Sequence, residues 1–472
     1  MEFTFNDFQA DLEDLHETHS ERVRRESEVT YYDEYAKNEL LSYEPRLYEQ
    51  VIEGWSRSYY SGQKHLQAIM QYALPNKSIT MVDQHDWNQS VIAVKNGLRS
   101  LPTVRAFSIE SQLDQVYYIQ SSSAGYGYQG AKGPLYHDNH MRAIRRAKAT
   151  LYSAIKPDGE GLDYAIKESV PDVGYTRTQL ADITQTTKVR GVWGRAFHYI
   201  LLEGASARPL LEAAMSSSTF IMVGRDPVKT VPVLLSNTSA QCRWLTALDW
   251  QTFDATVNRF EIDTAFSILK EHLIFPTKDD EQNFEFCRLM FIHKKIAAPD
   301  GKIYWSHKGI PSGSYYTSLI GSIVNRLRIE YLWRLKFNRG PQICYTLGDD
   351  SLIGDDDFYS PTEIANKASD LGWILNPNKT ECSTIPGEVT FLGRTSKGNL
   401  NHRDLKRCLR LLILPEYQVT SGSISAFRAQ SIAEDAGNTS EILNTIARRL
   451  KRRYGIADEA DVPTYLRRYT FQ

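Results

Sequence analysis

The sequence lacks any long apolar run. Its densest block, Leu411-Leu-Ile-Leu414, falls far short of the roughly 18 residues a membrane span needs. No basic leader followed by an apolar block opens it, so no secretory signal is expected. Cysteine is scarce: the five at 242, 287, 344, 382 and 408 are odd in number and form no Cys-x-x-Cys pair. That argues against a disulfide framework or a zinc ribbon and fits free thiols in a reducing compartment. A surplus of one charge sign is also missing. Lys plus Arg is 55 and Asp plus Glu is 57, and 55 − 57 gives −2. The chain is therefore no general basic coat for nucleic acid, and a polyanion would have to meet local positive charge in a groove or tunnel. There is no internal repeat, no long low-complexity segment and no P-loop. Gly125, Gly127 and Gly130 match a dinucleotide fingerprint, but Gly133-Pro134 interrupts the helix start it needs, and no acid follows near twenty residues on.

What is present suits a globular protein. The 472 residues are 42% hydrophobic and 24% charged, enough for a sizeable core in about three domains or one subdivided unit. Near the start, Phe5, Phe8, Leu12 and Leu15 recur at three or four among acids and predict an amphipathic helix with a solvated acidic face. Residues 121–134 form a small-residue loop, followed by Arg142, Arg145, Arg146 and Lys148, which can share one helix face. A helix is expected over Asp254–Leu269, and a loop then a long helix over Ser312–Leu335. Ile343–Ile353 reads as a hairpin, 362–371 as helix and Trp373–Leu375 as strand. The last seventy or so residues read as helical and end basic, with Arg448, Arg449, Lys451, Arg452 and Arg453.

The sharpest chemical feature is Gly348-Asp349-Asp350 between two strand-forming halves. A tight turn there projects two repelling carboxylates that a hard divalent cation can hold. Gly354-Asp355-Asp356 repeats the tripeptide but runs into a loop signal, and is expected to be solvated. Asp249 closes a short apolar strand, and Asp254 follows near a helix start, so one rim can carry both acids; Asp254 would equally serve as an N-cap. In Gly309-Ile-Pro-Ser312-Gly313-Ser-Tyr-Tyr-Thr317 a glycine-containing loop opens a helix on which Thr317, Gly321 and Asn325 share a face. Gly321 allows a close backbone or ribose approach, and the small-polar stripe would equally suit a helix-packing seam.

In order and separation these residues resemble the palm of a viral RNA-dependent RNA polymerase. Asp249-x4-Asp254 looks like motif A, Ser312-Gly313-x3-Thr317 with Asn325 like motif B, and Gly348-Asp349-Asp350 like motif C. The wording of motif B is most similar to that of partitiviruses, with small double-stranded RNA genomes, and the length to plant cryptic (deltapartitivirus-like) members. Thr187-Lys188-Val-Arg190-Gly-Val-Trp-Gly194 resembles motif F, Ser123-Ala-Gly125 motif G, Asn376-Pro-Asn-Lys379 motif D and Phe391-Leu-Gly393 motif E. One departure stands out. The picornavirus-type asparagine four residues after the motif B threonine is Gly321 here, and Asn325 comes a turn later.

The resemblance implies an α+β right hand with an antiparallel palm sheet backed by helices. The expected segments are 1–224 (N-terminal region and fingers), 225–269 (palm), 270–305 (fingers re-entry), 306–400 (palm) and 401–472 (helical thumb). It implies that Asp249 and Asp349, with Asp350 assisting, hold two Mg²⁺ ions (or Mn²⁺), and that Lys379 is the acid that protonates pyrophosphate. Lys188, Arg190, Arg195, Asp254, Ser312, Gly313, Thr317 and Asn325 would meet the nucleotide, and Ser123 and Gly125 the RNA. Arg326, Arg328, Arg334, Lys336 and Arg339 would line an RNA channel or merely solvate a helix. Template and product RNA, nucleoside triphosphates and a capsid protein are the expected partners, with no membrane, inside a virion in the host cytoplasm. Two alternatives stay open. A reverse transcriptase has a similar palm, but usually a bulky aromatic at the Asp254 position. A non-catalytic RNA-binding virion protein would need only the basic patches.

Overall fold

A computed structural model describes residues 11–21, 31–57, 60–74, 81–155, 161–185, 189–463 and 466. Its centre is an antiparallel sheet of four strands in the order Ile343–Leu347, Asp350–Asp355, Trp244–Ala247, Glu381–Ser383. Alternation along these strands gives the sheet two apolar faces. Leu245, Ala247 and Leu352 pack with Val231 and Leu235 of the Pro227–Gln241 helix, while Cys344 and Ile353 join the large core that contains the Thr317–Phe337 helix. That helix is buried from Leu319 to Trp333 except at Arg326, the position of a core helix, and carries its charged residues inside as ion pairs. A second sheet has five strands, Leu12–Thr18, Lys302–Ser306, Lys294–Ala297, Asp172–Thr178 and Val189–Gly194. The whole is the α+β right hand, with the palm sheet backed by helices.

Several local expectations are corrected. Residues 12–18 are a strand, not a helix. The register slips between Asp14 and Glu17 at a bulge, and Leu12 and Leu15 pack against different apolar clusters rather than along one helix face. Its acids are paired rather than merely solvated: Asp11 with Arg259 (3.2 Å) and Asp14 with Lys302 (3.3 Å). Phe5 and Phe8 lie outside the described residues. The helix expected over Asp254–Leu269 is broken at Val257-Asn258, where Asn258 and Glu261 form a capping box for Arg259–Lys270. Trp373–Leu375 is no strand; Leu375 makes only an isolated bridge to Trp250. Gly354 and Asp355 lie within a strand, and Asp355 is buried against Arg339 (2.7 Å).

The N-terminal region is divided between two bodies. The Glu34–Tyr43 and Pro45–Val51 helices share a core with the C-terminal Leu405–Ile413, Gly422–Asp435 and Glu441–Tyr454 helices. Asp33 locks this contact. It caps its own helix through Ala36 N–H (3.1 Å) and accepts from Ser425 (2.7 Å) and Arg428. The chain then pairs Trp55–Arg57 with Leu180–Asp182 beside the five-stranded sheet. Residues 34–57 thus link the C-terminal helices to the strand beside the five-stranded sheet.

Candidate active site

Acid-bearing segments meet at one edge of the palm sheet. Asp249 follows the Trp244–Ala247 strand and is pinned by its backbone. Its N–H donates to Thr380 Oγ1 (3.1 Å), and its carbonyl accepts from Asn376 N–H (2.9 Å). Between Asp249 and Asp254, Thr252 holds a left-handed φ of 47°. A β-branched residue is strained there, and such strain gathers at functional sites. Opposite, Gly348-Asp349 closes the hairpin. Gly348 takes the positive φ (57°) that a two-residue turn demands, and Asp349 stands exposed at the tip.

The Thr317–Phe337 helix seats this hairpin. A Cβ at Gly321 would lie 3.4 Å from Gly348 Cα, so the stripe there serves close backbone approach. Ser322 Oγ accepts from Gly348 N–H (2.9 Å). Asn325 Nδ2 donates to the carbonyls of Gly348 (3.0 Å) and Asp350 (3.1 Å), and its Oδ1 accepts from the Trp250 indole (2.8 Å). One buried amide therefore ties the Asp249 segment to the Asp349 turn.

The carboxylates face one another with little compensation. Burial, reinforced by Asp349, pushes the Asp254 carboxyl up to about 7. Burial, with Asp349 and Glu381 adding to it, raises Asp350 to about 7, although Leu392 N–H (2.9 Å) and Ser351 N–H (3.1 Å) donate to it. Asp349 is raised by partial desolvation of its carboxyl, although the residue reaches solvent at the tip, and by Asp249, and Glu381 is raised by burial and by Asp249. Arg190, exposed on the Val189–Gly194 strand, is close enough to pull both Asp254 and Asp349 down. An all-carboxylate set of mutually repelling groups fits a hard divalent cation. Among the described residues no three His, Cys, Asp or Glu side chains already converge into a cage, and Asp350 is turned to Leu392.

The loop before the helix closes on both walls. Ile310 N–H donates to Asp254 O (2.7 Å), Ser312 Oγ accepts from Trp193 N–H (3.0 Å), and Thr317 Oγ1 donates to Pro311 O (2.8 Å). A Cβ at Gly313 would collide with the Trp193 carbonyl. Ser123 Oγ bonds Tyr175 OH (2.6 Å), and Gly125 packs on the backbone of Arg195 and Ala196. Lys379 is exposed in a turn stitched to Asp249 through Asn376 and Thr380.

Residues 31–451 match the family described as viral RNA-dependent RNA polymerase. The chain belongs to that family. The chain is 32% identical over 191 residues to the RNA-directed RNA polymerase of Cryptosporidium parvum virus 1, a match covering 36% of each protein and so about a third of that relative's length. The fold is similar to the RNA-dependent RNA polymerase of a human picobirnavirus, with TM-score 0.68, 15% identity, and 91% and 86% of the two chains covered. An insertion-loop deletion mutant of that polymerase gives 0.64, at 14% identity over 90% and 87%.

In this polymerase-family chain, Asp249, Asp254, Asp349 and Asp350 gather at one edge, with Arg190 acting on two of them. Ser312, Gly313 and Thr317 form the adjoining loop. Lys188 and Thr187 lie outside the described residues. Two expectations are corrected. Arg195 is buried between Asp172 (3.7 Å) and Glu203 (3.2 Å) and donates to Met290 O (2.8 Å), so it is not available to a triphosphate. Asn325 is fully buried, with its amide committed to the hairpin and Trp250, so it does not read a ribose. The five basic residues from Arg326 to Arg339 all pair with carboxylates; Arg328, for example, is buried on Glu261 (2.6 Å). Sequence reasoning missed Glu381, Glu203, and Lys294, whose buried ammonium also pulls Asp254 down. The available signal for Glu203 was a single acid after Leu201-Leu202 in an otherwise apolar stretch of helix.

Proposed function

We propose that the protein copies RNA on an RNA template, replicating and transcribing a double-stranded RNA genome of the partitivirus kind. The observation that carries this reading is the cluster of under-compensated carboxylates at the palm edge, faced by Arg190. Asp249 and Asp349, with Asp350, would hold Mg²⁺, which when bound neutralises the triphosphate and lowers the pKa of the attacking hydroxyl. Arg190 grips phosphate oxygens. Asp254, half-buried beside Asp349, exchanges hydrogen bonds with a ribose 2′-OH. Lys379, carried by the turn anchored to Asp249, delivers a proton to departing pyrophosphate. The Ser312–Thr317 loop, fixed to both walls, orients nucleotide and template. A bulky aromatic is missing at the Asp254 position, which favours ribonucleotides over the reverse-transcriptase alternative. The capsid protein is the proposed partner, and the virion in the host cytoplasm the proposed setting.

A polymerase assay tests this. Purified protein, a single-stranded RNA, four NTPs and Mg²⁺ should yield labelled template-length RNA, and Asp349→Ala/Asp350→Ala should yield none. Equal product from that variant, or none from wild type on primed templates with Mn²⁺ as well, would sink the reading.

A further inference from the structure

The N-terminus of the Thr317–Phe337 helix has no side-chain cap of its own, since Tyr316 occupies the capping position. A carboxylate arrives from another helix instead. Glu203, buried in Phe197–Ser216, accepts from Tyr315 N–H (2.8 Å) and from the Ser314 hydroxyl through Oε2. Both donors precede the first helical residue, so Glu203 fixes the turn that leads into the helix rather than the helix's own first N–H groups. Its other oxygen, Oε1, lies 3.2 Å from Arg195 Nε. Arg195 directly follows the Val189–Gly194 strand that carries Arg190 and Trp193. That strand's Trp193 N–H already donates to Ser312 Oγ (3.0 Å), and Gly313 lies flat on the Trp193 carbonyl. Lys294, also buried, holds the start of the same loop through Lys308 O (2.6 Å). A buried ion pair is a costly way to gain stability, because desolvation offsets the attraction. What it supplies here is a fixed geometry between two segments that must act together.

We propose that Glu203, oriented by Arg195, is a positioning residue that caps the Ser312–Thr317 loop in trans and sets its register against the nucleotide-facing strand. This rests on the polymerase reading. Neither residue touches substrate. Misplacing a substrate-positioning loop by about 1 Å can cost up to roughly a hundredfold in rate, so the clamp should appear in nucleotide binding before it appears in folding.

The test pairs hydrogen–deuterium exchange with single-nucleotide incorporation on a primed RNA, in the full chain. Glu203→Ala should speed exchange in peptides covering 312–317 by about tenfold, leave 343–355 at the wild-type rate, and raise KM for NTP about tenfold while kcat per active site falls less than threefold. Glu203→Gln keeps an acceptor and loses only the charge facing Arg195, so it should fall between. Should Glu203→Ala fail to fold, Ser314→Ala removes one loop donor with the core intact and should shift both readouts the same way. A merely structural role would lower the folded fraction at unchanged KM. Exchange and KM within twofold of wild type in Glu203→Gln and Ser314→Ala would overturn the proposal. A wild type that incorporates nothing would instead overturn the polymerase reading, leaving the exchange arm to decide the clamp.

Discussion

In the fingers wall of the site, buried charge is set against opposite charge. Arg195 sits between Asp172 and Glu203, and Glu203 is bound in turn by the Ser314 hydroxyl and Tyr315 N–H. In the palm wall the balance is reversed. Asp249, Asp254, Asp349, Asp350 and Glu381 act chiefly on one another, and Arg190 reaches across from the fingers to temper two of them. The palm acids are held in place by neutral groups, the Asn325 amide and backbone N–H donors, which fix geometry without cancelling charge. The difference separates two tasks. One wall sets its buried acids against an arginine of its own, although burial still raises Asp172 to about 6 and also raises Glu203. The other is left with unsatisfied negative charge, which destabilises the apo protein and creates affinity for cations.

The largest blow to this comparison should come at Asn325. Asn325→Ala removes three hydrogen bonds and leaves the Trp250 indole and two carbonyls without their partner, for a loss of about 2–4 kcal/mol measured by denaturant unfolding. The ratio of ribo- to deoxynucleotide incorporation should stay at wild type; a collapse of that ratio would restore Asn325 as a sugar reader. Asp254→Ala should do the converse. It removes a raised carboxyl from the palm edge, so stability should hold or rise slightly, while discrimination against dNTPs weakens about tenfold. Equal loss for both sugars would count against that role. The smallest effect concerns pH in the fingers. Burial and Arg146 depress the buried His198 ring to about 3, and Tyr128 OH bonds it (2.8 Å). The folded value lies below the ordinary 6.5, so the stabilisation from the neutral ring is present above pH 6.5 and is lost as pH falls toward 3. His198→Gln should lessen the slope of melting temperature against pH between about 6.5 and 4.5, the rest being carried by His65, His293 and His307, which burial depresses too. An unchanged slope would remove His198 from the account.

The palm was readable because its chemistry is written in short contiguous strings. Gly348-Asp349-Asp350 lies between two strand-forming halves, which marks it as a hairpin tip, and Ile343–Leu347 pairs with Asp350–Asp355 as the alternation requires. The fingers wall was not readable, because its logic is long-range. Arg195 beside a motif of basic residues looks like a phosphate ligand, and only the fold brings Asp172 and Glu203 to it. Asn325 failed for a related reason: helical spacing places it on the correct face but not its depth, and depth decides between ribose and backbone. The Leu12/Leu15 spacing misled because two apolar residues three apart in a bulged strand can each serve a separate apolar cluster.

We propose that a divalent cation completes the under-compensated acids at the palm edge. Thermal unfolding with and without Mg²⁺ or Mn²⁺ tests it directly, in wild type and in Asp249→Asn/Asp349→Asn. Wild type should melt higher as the cation is raised, by the linkage of binding to folding. The double variant should start at or above the wild-type melting temperature without cation and respond little to it. An identical cation response in both proteins, or a double variant that melts well below wild type in chelator, would contradict the account.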